Sequence, residues 1–240
     1  MSKKSPILFN ADMIRAILDG RKTQTRRIMK AQPSDEISNL LVGSYHPTVV
    51  RNNGEEEPGP ETFGAFSECG DFGCKAPYAP DNLLWVRETW RGIVKINAPW
   101  EAHREGVARY IPDRRLCLGV EYKASHMDNN EPWRPSIHMP RWASRLTLRV
   151  TNVRAQPLLD ISEEDAKSEG FIDGELNDGF GPRDIGGGWT IESMGGWASA
   201  AGMFQIYWQK LHPDWDGFSS PWVWVYDFEV IRKNVDEVDA

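Results

Sequence analysis

Cysteine is scarce: Cys69, Cys74 and Cys117 are the only three in 240 residues. An odd, low count argues against a disulfide scaffold and suits a reducing compartment. Long apolar runs are also missing, and no segment approaches the ~18–20 residues of a membrane span. The start, Met1-Ser2-Lys3-Lys4-Ser5-Pro6, has two lysines but no apolar core after them, so no secretory leader is read there. These absences set the expectation of a cytoplasmic protein with no membrane partner.

Several catalytic signatures are absent as well. Gly186-Gly187-Gly188 lacks the spacing and preceding strand of a nucleotide-binding turn, and no Gly-x-Ser-x-Gly elbow occurs. The five histidines are dispersed, and Cys69 and Cys74 have no second Cys/His pair at zinc spacing. No metal or other cofactor is therefore assigned. The two cysteines read as solvent-near free thiols.

What is present begins with charge. The chain has 28 basic and 35 acidic residues, a formal net charge of −7. Residues 1–30 run the other way, with eight basic residues against two acidic ones. Residues 31–83 hold nine acids against Arg51 and Lys75, and 138–155 hold Arg141, Arg145, Arg149 and Arg154 with no acid. If the fold joins the two basic stretches, they make an anion-binding surface; the plain alternative is solvated faces. Eleven tryptophans are many for this length. Core packing accounts for most, and base stacking is the sharper reading for one or two.

The elements are read as follows. Asn10 caps a helix that puts Met13, Ile14, Ile17 and Leu18 on one face, and Gly20 ends it. A strand follows from near Thr23. Residues 31–82 read as loops with short strands, Leu84–Trp90 as a strand, and 91–118 show no clear period. A short strand covers Gly119–Lys123, and Pro132–Pro140 is irregular. Arg145–Val153 alternates as a half-buried strand, with an irregularity before Val153. Ser162 caps a helix, with Asp165 in the slot of a capping box. Residues 171–197 read as glycine-rich loop. A helix from about Ser199 to His212 packs Met203, Phe204, Tyr207, Trp208 and Leu211, and the strand Trp222–Val230 closes the chain. Strands with few helices and no βαβ rhythm imply an α+β fold or small barrel.

The chemistry-bearing stretch is Gly20-Arg21-Lys22-Thr23-Gln24-Thr25-Arg26-Arg27. A lysine beside three arginines feels like charge, and burial would add desolvation. Both lower its pKa and suit it to general-base work. Thr25 meets its amine only if the turn stays tight, because a fully extended strand would face them apart. The plain alternative is a surface basic turn.

Pro6–Arg27 resembles the N-terminal signature of ASCH-domain proteins, in the PUA-like superfamily. Leu83–Trp90, Pro135–Leu146, Asp160–Gly170 and Ser220-Pro221-Trp222-Val223-Trp224-Val225 resemble later blocks of the phage- and prophage-encoded members, in family order. One departure stands out: Pro80-Asp81-Asn82 replaces the usual Gly-Asp before the Leu-Trp-Val strand. The resemblance implies a single domain over 1–240, a PUA-like small β-barrel with flanking helices and insertions at 31–82, 91–137 and 171–197. It implies a nucleic-acid or modified-nucleoside partner in a bacterial host cell. One branch of the family hydrolyses N4-acetylcytidine, and its catalytic positions carry over to Lys22, Thr25 and Glu169. Substrate contacts are then expected from Arg21, Arg26, Arg87, Glu88, Trp90, His138, Arg141 and Trp142. The competing expectations are an RNA or modified-DNA binding module, a ribonuclease, and a phage accessory or assembly protein.

Overall fold

Asn10 starts the first helix as its side chain suggests: its Oδ1 accepts the Met13 amide at 2.9 Å. This computed structural model describes residues 2–98, 101–126, 132–172, 174–175 and 197–238. The Gly186–Gly188 run and most of 171–197 lie outside the described residues.

The elements in chain order are β1 (Lys4–Leu8), α1 (Ala11–Leu18), β2 (Gln24–Ile28), β3 (Leu41–Tyr45), β4 (Thr48–Val50), β5 (Glu56–Pro58), β6 (Thr62–Phe66) and β7 (Gly73–Lys75). There follow β8 (Leu83–Arg87), β9 (Trp90–Ala98), β10 (Glu101–Val107), β11 (Cys117–Tyr122), β12 (Thr147–Pro157) and α2 (Glu163–Ser168). The last are β13 (Gly174–Glu175), β14 (Trp197–Ala198), α3 (Ala200–Leu211) and β15 (Trp222–Ile231). The fold is α+β, mostly strands with few helices. The main sheet has the order β1-β8-β12-β15-β2, and among the described residues it is open rather than closed into a barrel. No helix among them is long and apolar enough to cross a membrane.

The chain divides into two compact units. One comprises residues 1–20, 81–150 and 228–240; the other comprises 21–80 and 151–227.

In the first unit β1 lies parallel to β8, and β8 is antiparallel to the start of β12. The period-free residues 91–118 fall largely in the meander β10-β9-β11. Its pairing shifts register between Cys117 and Gly119, which breaks any simple alternation. In the turn Pro80-Asp81-Asn82, Asp81 takes φ +64°. Asp tolerates this left-handed conformation better than most residues. Its amide donates to the Val150 carbonyl at 2.9 Å and fixes the turn.

In the second unit β2 pairs antiparallel with β15. A core of Leu158, Ala166, Phe204, Trp208, Val223 and Val225 packs α2 and α3 against this sheet. Helix α3 departs from the expected face: Ile206 is buried and Leu211 is exposed. Residues 31–82 carry β3–β7, arranged as a three-stranded sheet and a two-stranded ribbon. Cys74 is buried on β7, so only Cys69 of that pair is exposed. The register partner of Cys74 on β6 is Ala65, which is fully buried, so the two share a covered face.

Candidate functional site

The turn after α1 needs Gly20, whose φ is +77°. The chain then crosses to the end of α2, where Lys22 and Glu169 form an antiparallel bridge and the Thr23 amide donates to the Ser168 carbonyl at 2.8 Å. This pairing brings two residues 147 positions apart into contact. Lys22 is 0% exposed and Glu169 4%. The Lys22 Nζ donates to Glu169 Oε2 in a short contact and to the Glu169 carbonyl at 3.0 Å.

Around this pair lies a polar network, buried at Gln24 and Arg26 and partly exposed at Asp165, Arg154 and Asp227. Arg26 donates to Asp165 Oδ2 at 2.7 Å and to Glu169 Oε1 at 3.3 Å. Its guanidinium also lies 5.6 Å from the Phe204 ring centre. Gln24 donates to Asp227 at 2.6 Å and to Asp165 at 3.1 Å. Arg154 reaches Asp165 Oδ1 at 3.1 Å. The two basic stretches of the sequence do meet here, through Arg26 and Arg154. They meet on a shared carboxylate, so they form a neutralised cluster rather than an open anion surface.

Electrostatics separate these groups. Burial pushes the Lys22 ammonium below its ordinary range, and Arg27 and Arg26 push the same way. The Glu169 carboxylate opposes them by its charge and hydrogen bond without cancelling the burial. Asp165 also feels burial, which pushes its pKa up. Hydrogen bonds from Arg154 and Gln24, with the charges of Arg26 and Arg154, outweigh that and hold it below the usual carboxylate range. A lysine can surrender its proton under such pressure, whereas an arginine in a protein does not.

Thr25 is buried on β2, and its register partner is Tyr226. Arg26 sits opposite Val225, so alternation gives Thr25 and Arg26 opposite faces of the strand. Arg21 is exposed and donates to the Gly170 carbonyl at 2.9 Å.

The other expected contact residues belong to the first unit. Glu88 is 1% exposed and accepts two hydrogen bonds from Arg145, each 2.9 Å. Burial pushes its pKa up, against the Arg145 contact. Arg87 lies 5.2 Å from the Trp85 ring centre and donates to the carbonyls of Met139, at 3.2 Å, and Ile137. Trp90, an expected stacking platform, is a core residue instead. It is 0% exposed and packed edge-to-face on Trp142, with ring centres 6.1 Å apart. No base can stack on it without opening that cluster with Met139 and Ala143. Trp142 is half-buried, and His138 and Arg141 are exposed. Arg141 is paired with Asp236.

Sequence reasoning missed Asp165, Gln24, Arg154 and Asp227 as members of the network. The signal for Asp165 was its spacing from Glu169, which at i, i+4 shares a helix face. Among the described residues no group of three His, Cys, Asp or Glu side chains is arranged to hold a metal ion. No family model, no curated protein and no solved structure matches the chain.

Proposed function

We propose that the chain is an ASCH-type protein of the PUA-like superfamily and an amidohydrolase for acylated exocyclic amines of nucleobases, of which N4-acetylcytidine is the type substrate. The single observation that carries the reading is the buried contact between Lys22 and Glu169. The resemblance names both positions, and the fold joins them across the chain.

The chemistry follows from the burial of Lys22, which pushes its ammonium below its ordinary range and makes its proton easier to lose. Neutral Lys22 takes the Thr25 hydroxyl proton as Oγ attacks the acetyl carbonyl. Arg26 donates to Glu169 and Asp165 and so orients the Glu169 carboxylate. Collapse of the tetrahedral intermediate breaks the C–N bond, and the proton that Lys22 took from Thr25 passes by way of the Glu169 carboxylate to the leaving amine. Water then hydrolyses the threonyl ester to acetate and free Thr25. In a variant of the scheme Thr25 positions the attacking water directly.

The burial of Lys22 and Thr25 sets a condition: the site must open to admit substrate. The same burial favours the second reading, a nucleic-acid binding module in which the cluster is purely structural. Incubating purified protein and Lys22→Ala with N4-acetylcytidine and its deoxy form decides between them. Cytidine released by wild type and not by the folded variant supports the amidohydrolase. A folded wild type without turnover gives the site to the structural reading.

A further inference from the structure

A different cluster, in the first unit, holds buried donors that lack acceptors. Trp90-Arg91 on β9 runs antiparallel to Trp133-Arg134. The Trp90 amide donates to the Arg134 carbonyl at 3.2 Å, and the Arg134 amide to the Trp90 carbonyl at 2.8 Å. This register makes two cross-strand Trp–Arg pairs, one on each face: Trp90 with Arg134, and Arg91 with Trp133. Each pair leaves one indole N–H and one guanidinium nitrogen buried without an acceptor. The four atoms are Trp90 Nε1, Arg134 Nε, Arg91 Nη1 and Trp133 Nε1. Buried donors are nearly always satisfied, by protein, water or ligand. Four orphans in two facing dipeptides point to a missing acceptor.

The two faces differ in access. Trp90 is fully buried, so nothing reaches its face. On the other face Arg91 is stacked 4.3 Å from the Trp133 ring centre, and Arg91 Nε donates to Glu121 at 2.6 Å. The Arg91 side chain is 8% exposed, while Glu121 is 30% exposed and Trp133 half-buried. Glu121 and Trp133 are thus the outer members of this face and Arg91 its buried one. The exposed His126 ring stands 6.0 Å from Trp133 on the outer side. On this face Arg91 is paired with Glu121, its register partner on β11, and its Nη1 is left without an acceptor, while Arg134 belongs to the opposite face. Arg134 is itself anchored on the Ala108 carbonyl at 3.0 Å, and exposed Arg109 follows.

We propose that Arg91 Nη1 and Trp133 Nε1 together bind an oxyanion, the carboxylate or phosphate group of a small ligand. An indole N–H and a guanidinium N–H carried by stacked side chains suit one such group. The proposal is independent of the amidohydrolase reading, since it uses none of the Lys22 network.

Indole N–H resonances in a 15N spectrum report on it directly, with the Trp133 signal assigned by its loss in Trp133→Phe. Full-length protein is titrated separately with inorganic phosphate and with acetate at constant ionic strength. A saturable shift of the Trp133 signal is expected, with a dissociation constant on the order of a millimolar. The probe that saturates at lower concentration identifies the group. Arg91→Gln should abolish the saturation, and Trp133→Phe, which keeps the aromatic stack, should weaken calorimetric binding about tenfold. No saturable shift with either probe in folded wild type overturns the proposal. So does binding unchanged in Trp133→Phe, which remains decisive if Arg91→Gln fails to fold.

Discussion

Two buried carboxylates, Glu88 in the first unit and Glu169 in the second, are each held by a cation, and the cations differ. Glu88 meets Arg145 through two parallel hydrogen bonds, and Arg145 also covers the Tyr122 ring at 4.0 Å and reaches Ser125. The arginine keeps part of its surface in water, with 26% of its side chain exposed. Glu169 meets a lysine with no exposure at all. The first arrangement fixes a charge in place, because the guanidinium fork matches a carboxylate and does not titrate. The second sets against the carboxylate a lysine whose proton burial makes easier to lose. Burial alone therefore does not mark a reactive site; the identity of the cation does.

The largest effect separates these roles by replacing the labile cation. Lys22→Arg keeps the positive charge and removes the accessible neutral base. On the proposed mechanism its deacetylation rate falls by about 10²–10⁴-fold, the usual contribution of a positioned general base. Chromatographic assay of cytidine release checks this, with circular dichroism as the folding control. A folded Lys22→Arg protein with wild-type turnover would remove the lysine from the chemistry and make the two pairs equivalent.

Next in size is the fixed pair. Arg145→Met leaves Glu88 buried with no cation, a loss of about 3–5 kcal/mol at neutral pH. Urea denaturation measures it. In the second unit Lys22→Met should cost less, because Arg26 still donates to Glu169. A larger loss for Lys22→Met would reverse the comparison and make the second cluster the stronger structural element.

The carboxylates also differ in their pH response. Glu88 has a folded pKa above 4.5, so between these values the native state holds more protons than the unfolded chain. Its stabilising term is present below pH 4.5 and is lost as pH rises through the folded pKa. Asp165 has a folded pKa below 3.8. Its term is present above pH 3.8 and is lost as pH falls through the folded value. Urea midpoints from pH 2.5 to 7 should show this against matched variants. The advantage of wild type over Glu88→Gln shrinks as pH climbs above 4.5, and its advantage over Asp165→Asn shrinks as pH drops below 3.8. Parallel curves for the two variants would show that neither carboxylate titrates differently on folding.

The sequence made the local devices legible and left the distant pairings obscure. The Asn10 cap, the Gly20 stop and the buried Leu148 and Val150 of β12 follow from short-range chemistry, and each stands where its pattern placed it. The helix face bearing Asp165 and Glu169 was equally local, yet its partners were not. Nothing in the spacing of Gln24 and Arg154 reveals that each links Asp165 to Asp227, because that depends on pairing β2 with β15. The meander of β9–β11 was hidden by its register shifts and exposed Leu116 and Leu118, which blur the alternation. Trp90 was misread because an aromatic beside arginine and glutamate has the same sequence signature whether it lines a cleft or fills a core.

The smallest effect concerns the turn that delivers Lys22. Gly20 has φ +77°, and a Cβ placed on it would meet nothing within 4 Å. Gly20→Ala therefore carries a backbone cost without a clash, about 1 kcal/mol for a side chain held in the left-handed region. Thermal denaturation would read it as a shift of a few degrees. The consequence for chemistry sharpens the contrast between the clusters. Any relaxation of this turn moves Lys22 against Glu169, whereas Arg145 and Glu88 stand on other segments and do not feel it. In the variant, turnover should drop more than stability alone explains, and restoring stability with a mild osmolyte should not restore the rate. Full recovery of the rate with the osmolyte would show that the turn supports the fold and leaves the alignment of the Lys22–Glu169 pair untouched.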